Sequence, residues 1–119
     1  DQTTTTTILS GSPVVQATIA TYLAATYRSV ELLIQATQGV NYHMTKILAI
    51  HDDTVADHTE FGTVTLPSFL GSPLIGSPGN SGVQATYTVD INGGNLRLLA
   101  TPVVSEAVTF KVMANLITV

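Results

Sequence analysis

Asp90-Ile91-Asn92-Gly93-Gly94-Asn95-Leu96-Arg97-Leu98-Leu99 is the stretch on which the fold turns. An alternating run, Ala85-Thr86-Tyr87-Thr88-Val89, leads into it, and a second apolar run leads out. Two such runs joined by Asn-Gly-Gly-Asn predict a β-hairpin, because glycine adopts the positive φ values a tight reversal requires. Asn92, Gly93, Gly94 and Asn95 are accordingly assigned a structural turn role. The same residues lack the strand-then-helix context of a phosphate-binding loop.

Working outward, Leu96, Leu98 and Ala100 share one face, with Arg97 opposite, and Thr101-Pro102 ends the strand. Val108, Phe110, Val112, Ala114 and Leu116 line the inner face of a last strand, and Lys111 and Asn115 point away. Upstream, Val30, Leu32, Ile34 and Ala36 alternate with Glu31, Gln35 and Thr37, and Gln38-Gly39-Val40-Asn41 makes the turn. Tyr42, Met44, Leu48 and Ile50 then alternate with His43, Thr45, Ile47, Ala49 and His51. Apolar residues on both faces suggest a central strand, and alternation puts His43 on the outer face. Asp52-Asp53 reads as a two-residue hairpin tip, and the more polar return, Val55 to Val64, reads as an edge. Val14 to Tyr22 is read as a strand, although Ala17 to Ala25 contains good helix formers. Seven strands with turn signals every 8 to 12 residues predict an all-β antiparallel sandwich, jelly-roll-like, occupying residues 14–119 behind an extended arm at 1–13.

Composition narrows the function classes. The chain has 119 residues, enough for one core without staples, and it has no cysteine, so no disulfide or thiolate chemistry. Only 10% of residues are charged, which favours an assembly over a lone monomer because charge density keeps free monomers apart. A net charge of −4, with cations scattered at Arg28, Lys46, Arg97 and Lys111, argues against nucleic acid. No apolar run reaches the roughly 18 residues of a membrane span. No signal-peptide pattern is present.

Two segments stand out as contact elements. The tract Thr3 to Thr7, followed by Ile8, has β propensity without an apolar face, and reads either as an arm lying on a neighbour or in solvent, or as a strand donated to an adjacent subunit. Thr3, Thr4, Thr5 and Ile8 are the contact candidates there. The second segment is a Gly-Ser-Pro loop at 66–83, too rich in proline and glycine for a ladder, whose Phe69, Leu70, Leu74 and Ile75 could dock on a neighbour or fold over their own domain.

Chemistry is poorly supported. His51, Asp57 and His58 are weak metal candidates, since a two-residue tip would leave His51 opposite Thr54 and His58 near Ile47, too far apart to share one ion. No nucleophile elbow or cleft-facing carboxylate pair is present, so no catalytic residue, no cofactor and no enzymatic activity are expected.

Five strings in order carry a resemblance: Tyr27-Arg28-Ser29; Thr45-Lys46-Ile47-Leu48-Ala49-Ile50-His51-Asp52; Thr59-Glu60-Phe61-Gly62-Thr63-Val64; Asp90 through Pro102; and Thr109-Phe110-Lys111-Val112. From Tyr27 to Val119 the chain resembles a small β-domain of virion structural proteins of tailed bacteriophages, marine and cyanobacterial phages especially. Asp52-Asp53 departs from the Asn-Gly usual at that turn, and the Gly-Ser-Pro loop is longer than usual. The resemblance implies a non-enzymatic building block of the virion, in head decoration, neck, tail or fibre. It would be a homo-oligomer, with a trimer among the options, in contact with other virion proteins. A receptor- or glycan-binding module of a fibre is the alternative, with Tyr42 and Tyr87 as the rings to test.

Overall fold

The computed structural model describes residues 1–10, 14–66, 84–103 and 105–119. These form eight strands: β1 (Gln2–Leu9), β2 (Ala17–Leu23), β3 (Tyr27–Gln38), β4 (Asn41–His51), β5 (Ala56–Leu66), β6 (Ala85–Asn92), β7 (Asn95–Pro102) and β8 (Val108–Thr118). They make a five-stranded sheet in the order β1-β8-β3-β4-β5 and a three-stranded sheet in the order β2-β7-β6, with every pair antiparallel. The all-β sandwich expected from alternation is what the chain forms. The nested pairs β1·β8 and β2·β7 wrap the chain in jelly-roll fashion, while β3, β4 and β5 run as a plain meander in one sheet.

The strand beyond the expected seven is the threonine tract. Gln2–Leu9, expected as an extended arm, pairs residue for residue with β8 of its own chain, from Gln2 opposite Asn115 to Leu9 opposite Val108. Threonine suits this position because its branched β-carbon favours extended backbone and its hydroxyl tolerates a half-exposed edge. Thr7 Oγ1 donates to the Ile19 carbonyl at 3.1 Å, tying β1 to β2 of the facing sheet.

The core is built from both inner faces. Leu32, Ile34, Ile47, Phe110 and Val112 come from the larger sheet, and Ile19, Tyr22, Tyr87, Leu96 and Leu98 from the smaller. Burying each such side chain is worth about 1.5–3 kcal/mol, so these two layers supply the dominant stabilising term. Tyr87 meets Phe110 edge-on, with ring centroids 6.2 Å apart at 84°. Between β6 and β7, Gly93 and Gly94 have φ of 60° and 80°, the two positive values of a type I′ turn.

Two local expectations fail. His43 is not on the outer face: it is 2% exposed, and its Nδ1 accepts from the Gln84 backbone N–H at 3.3 Å. All of β4 is turned over with it, so that Thr45, Ile47, Ala49 and His51 are buried while Tyr42, Met44, Leu48 and Ile50 face outward. Register with β3 decides the face, since Ile47 pairs with the buried Leu32 and His43 with the buried Ala36. Nor is the next hairpin a two-residue Asp-Asp tip. His51 pairs with Ala56, leaving the four-residue turn Asp52 to Val55, closed by Asp52 N–H to the Val55 carbonyl at 3.1 Å.

Candidate functional site

At that turn, His51, Asp57 and His58 do not converge. His51 is buried, and both ring nitrogens are engaged: Nε2 lies 2.6 Å from the Tyr27 carbonyl and Nδ1 accepts from the Asp53 N–H at 3.0 Å. With both ring nitrogens so engaged, the imidazole has no lone pair left for a metal. His58 pairs with Ala49 on the inward parity of β5, and Asp57 pairs with Ile50 on the outward parity, so the two side chains leave the strand on opposite sides. The wider turn shifts His58 by two residues from the expected position near Ile47, where Glu60 stands instead. Among the described residues, no group of three or more His, Cys, Asp or Glu could hold a metal ion.

The carboxylates at the turn serve the backbone. Asp52 Oδ1 accepts from the N–H groups of Thr54 and Val55 at 3.0 and 2.8 Å, which holds its carboxyl below the usual range. Asp53 takes φ of 78°, and Arg28 braces the turn by donating to the His51 carbonyl at 3.1 Å and lying 3.5 Å from the Asp53 carboxylate. On the smaller sheet, Arg97 grips Asp90 through two parallel bonds, Nε to Oδ1 at 2.8 Å and Nη2 to Oδ2 at 2.6 Å. Those bonds lower the Asp90 carboxyl and raise the Arg97 guanidinium.

The surface with the most unusual chemistry is the outer face of the five-stranded sheet, whose β4 residues the local apolar pattern assigns to the core. Cross-strand register lays it out in rows. One row runs Asp57, Ile50, Ser29, Ile117; the next runs Thr59, Leu48, Glu31, Asn115, Gln2; the middle row runs Phe61, Lys46, Leu33, Met113, Thr4. Val64, Met44, Gln35, Lys111 and Thr6 follow, and Leu66, Tyr42, Thr37, Thr109 and Ile8 complete the face. Large apolar side chains thus stand on the solvent side, including Ile50 at 55% and Ile117 at 66% exposure. Glu31 and Lys46 pair at 3.2 Å near the centre, and Lys46 Nζ lies 5.7 Å from the Phe61 ring centroid. The Asn115 amide donates to Glu31 at 3.0 Å and, with Lys46, keeps that carboxyl charged to low pH. At the Asp57 end the face hollows into a groove of about 1030 Å³ floored by Leu48, Ile50 and Ile117.

The contact candidates distribute unevenly over this geometry. Thr4 and Ile8 point to the outer face; Thr3 and Thr5 take the inward parity, opposite Ala114 and Val112. Phe69, Leu70, Leu74 and Ile75 lie outside the described residues. Of the two rings proposed for sugar stacking, Tyr42 is exposed, whereas Tyr87 is 8% exposed and packed on Phe110, so it cannot present a face to a ligand.

No family model matches the chain, and no curated protein matches it. Among solved structures, the chain is similar over 100% of its length to part of the tailspike protein of Acinetobacter baumannii phage AM24, with a TM-score of 0.61 at 8% identity. It covers 26% of that chain. A match to the tailspike protein of Acinetobacter phage vB_ApiP_P1 has a TM-score of 0.48 at 19% identity, over 99% of this chain and 21% of that one. The chain therefore spans about a quarter of the tailspikes it resembles, and what it shares with the AM24 tailspike is the sandwich fold.

Proposed function

We propose that this chain is a non-enzymatic structural module of a bacteriophage virion, a β-sandwich of a tail fibre or tailspike that assembles with copies of itself and with other virion proteins. The observation that carries the reading is the alignment of the whole chain, end to end, with one segment of a phage tailspike. The ordered strings from Tyr27 to Val119 support it independently, since they resemble virion β-domains. The side chains that could do chemistry fit the same role: His51, Asp52 and Asp90 are each committed to holding backbone or an ion pair.

The contact elements assigned to this role are β1, through Thr4 and Ile8 with Thr3 and Thr5 behind them, and Phe69, Leu70, Leu74 and Ile75 of the Gly-Ser-Pro segment. The test is localisation. An antibody against the chain should decorate the tail of purified particles of the phage that encodes it, and the polypeptide should be found in those particles by mass spectrometry. Particles free of the chain would overturn the reading.

A second reading, a receptor- or glycan-binding module, is favoured by the outer-face groove with its Asn115, Thr59 and Asp57 groups. It is weakened by the lack of Tyr or Phe in the described lining, because sugar sites normally present a ring. Binding on a glycan array, lost on Asn115→Ala but retained on Leu23→Glu, would establish it.

A further inference from the structure

We infer that the outer face of the five-stranded sheet is a self-association surface, covered in solution by a second copy of this chain. The inference deepens the structural-module reading by naming the contact surface, and it rests on that reading only for its setting in a virion.

Area is the first argument. Met44, Leu48, Ile50, Phe61, Met113 and Ile117 are 41–66% exposed on this one face, and three further apolar side chains extend it at the Tyr42 end. Five strands about 4.8 Å apart and five rows about 7 Å apart span on the order of 800 Å², the ~800 Å² per partner that a standard stable interface buries.

Charge is the second argument, and it selects the occupant. The face carries Glu31, Asp57, Lys46 and Lys111, with Asp1 at the rim of its groove, three acids against two cations, so it is close to neutral. The other five acids and two cations carry −3 of the net charge of −4. Copies of this chain therefore repel one another through the rest of their surface and meet with little of that cost here. At the centre, Glu31 is already paired with Lys46 and Asn115, so covering it strands no unpartnered charge. A lipid surface would not accept these central charges, nucleic acid would find no net positive potential, and a sugar would find no Tyr or Phe ring in the described lining of the groove.

Light scattering coupled to size exclusion, run on the full chain across micromolar concentrations, tests the inference. The expected mass exceeds one chain of 12.5 kDa, and the double substitution Ile50→Glu with Met113→Glu returns it to that value, weakening association about 100-fold. Both positions are exposed, so circular dichroism should show an unchanged fold. Leu23→Glu, an exposed control on the other sheet, should leave association intact. A monomeric wild type, or an oligomer indifferent to the double substitution, overturns the inference. Particle labelling is independent: a monomer found in particles refutes this surface alone, and an oligomer missing from particles refutes the virion role alone.

Discussion

Gly93 and Gly94 turn the chain at φ of 60° and 80°, and a β-carbon built on either would find nothing within 4 Å. An alanine there meets no neighbour, so any loss comes from backbone strain alone. Left-handed backbone costs an L-residue about 1–2 kcal/mol, and Gly94→Ala should lower the urea-unfolding free energy by that amount. Gly93→Asn should cost less, because asparagine tolerates this conformation. One turn away, Arg97 holds Asp90 below the ordinary carboxylate range, as Val55 and Thr54 N–H groups do for Asp52, and as Asn115 and then Lys46 do for Glu31. As pH falls, the unfolded chain takes up these protons first, so their stabilisation is complete above the unfolded pKa of about 4 and disappears as the folded pKa values are passed. Thermal melts should therefore decline below about pH 4. Asp90→Asn should lower the melting temperature at pH 7 and flatten that acid decline; an unchanged acid profile would remove the Arg97–Asp90 pair from the explanation.

At the scale of elements, β4 separates what local pattern can tell from what it cannot. The type I′ hairpin, the inner stripe of β3 and the inner stripe of β8 were all legible, because each strand has one face richer in apolar residues than the other. In β4 the more apolar set faces solvent, and the set holding two histidines and a threonine faces the core. Its orientation follows from the tight hairpin with β3, where Gln38 opposite Asn41 sets Ala36 opposite His43 and Leu32 opposite Ile47, and it is reinforced by the Gln84 N–H at His43 and the Tyr27 carbonyl at His51. The apolar pattern of β4 by itself points the other way; only the inner stripe of β3 carried across that turn gives the face, and with it the candidate surface behind. Paired substitutions check the inverted assignment. Ile47→Ala, at a fully buried site, should cost about 2–5 kcal/mol, while Ile50→Ala, measured at concentrations too low for self-association, should stay within about 0.5 kcal/mol. His43 adds a pH signature, because burial pushes its pKa down, with Glu60 opposing. A buried neutral histidine is protonated more readily in the unfolded chain, so its stabilisation is complete above about pH 6.5 and fades as pH drops toward the lowered folded value. His43→Leu should remove the slope of stability just below about pH 6.5 without touching the carboxylate window below about pH 4.

Across the whole molecule, the strand that closes the larger sheet pairs the start of the chain with its end, Gln2 opposite Asn115 and Leu9 opposite Val108. A separation of about a hundred residues makes such a pair invisible to local pattern, and threonine repeats offer no amphipathic stripe to betray it. The pairing with β8 runs without a bulge, and β1 carries no charge, proline or glycine, whereas the opposite edge, β5, is interrupted by Gly62 and carries Asp57, His58 and Glu60. Charges and bulges are what blunt an edge, so β1 is the unguarded side of the sandwich and the strand best suited to exchange between chains. A chain beginning at residue 14 would leave the β8 ladder edge and the side of Phe110 uncovered. It should melt at lower temperature and precipitate more readily than the full chain, and a synthetic peptide of residues 1–10, supplied in trans, should raise the melting temperature in a dose-dependent way. A scrambled peptide of the same composition keeps the threonines but moves Ile8 and Leu9, and it should rescue less, because Leu9 packs against the core. Equal rescue by both peptides would mean that β1 supplies only backbone hydrogen bonds; no rescue by either would mean that β1 serves its own chain alone and cannot be donated to a neighbour.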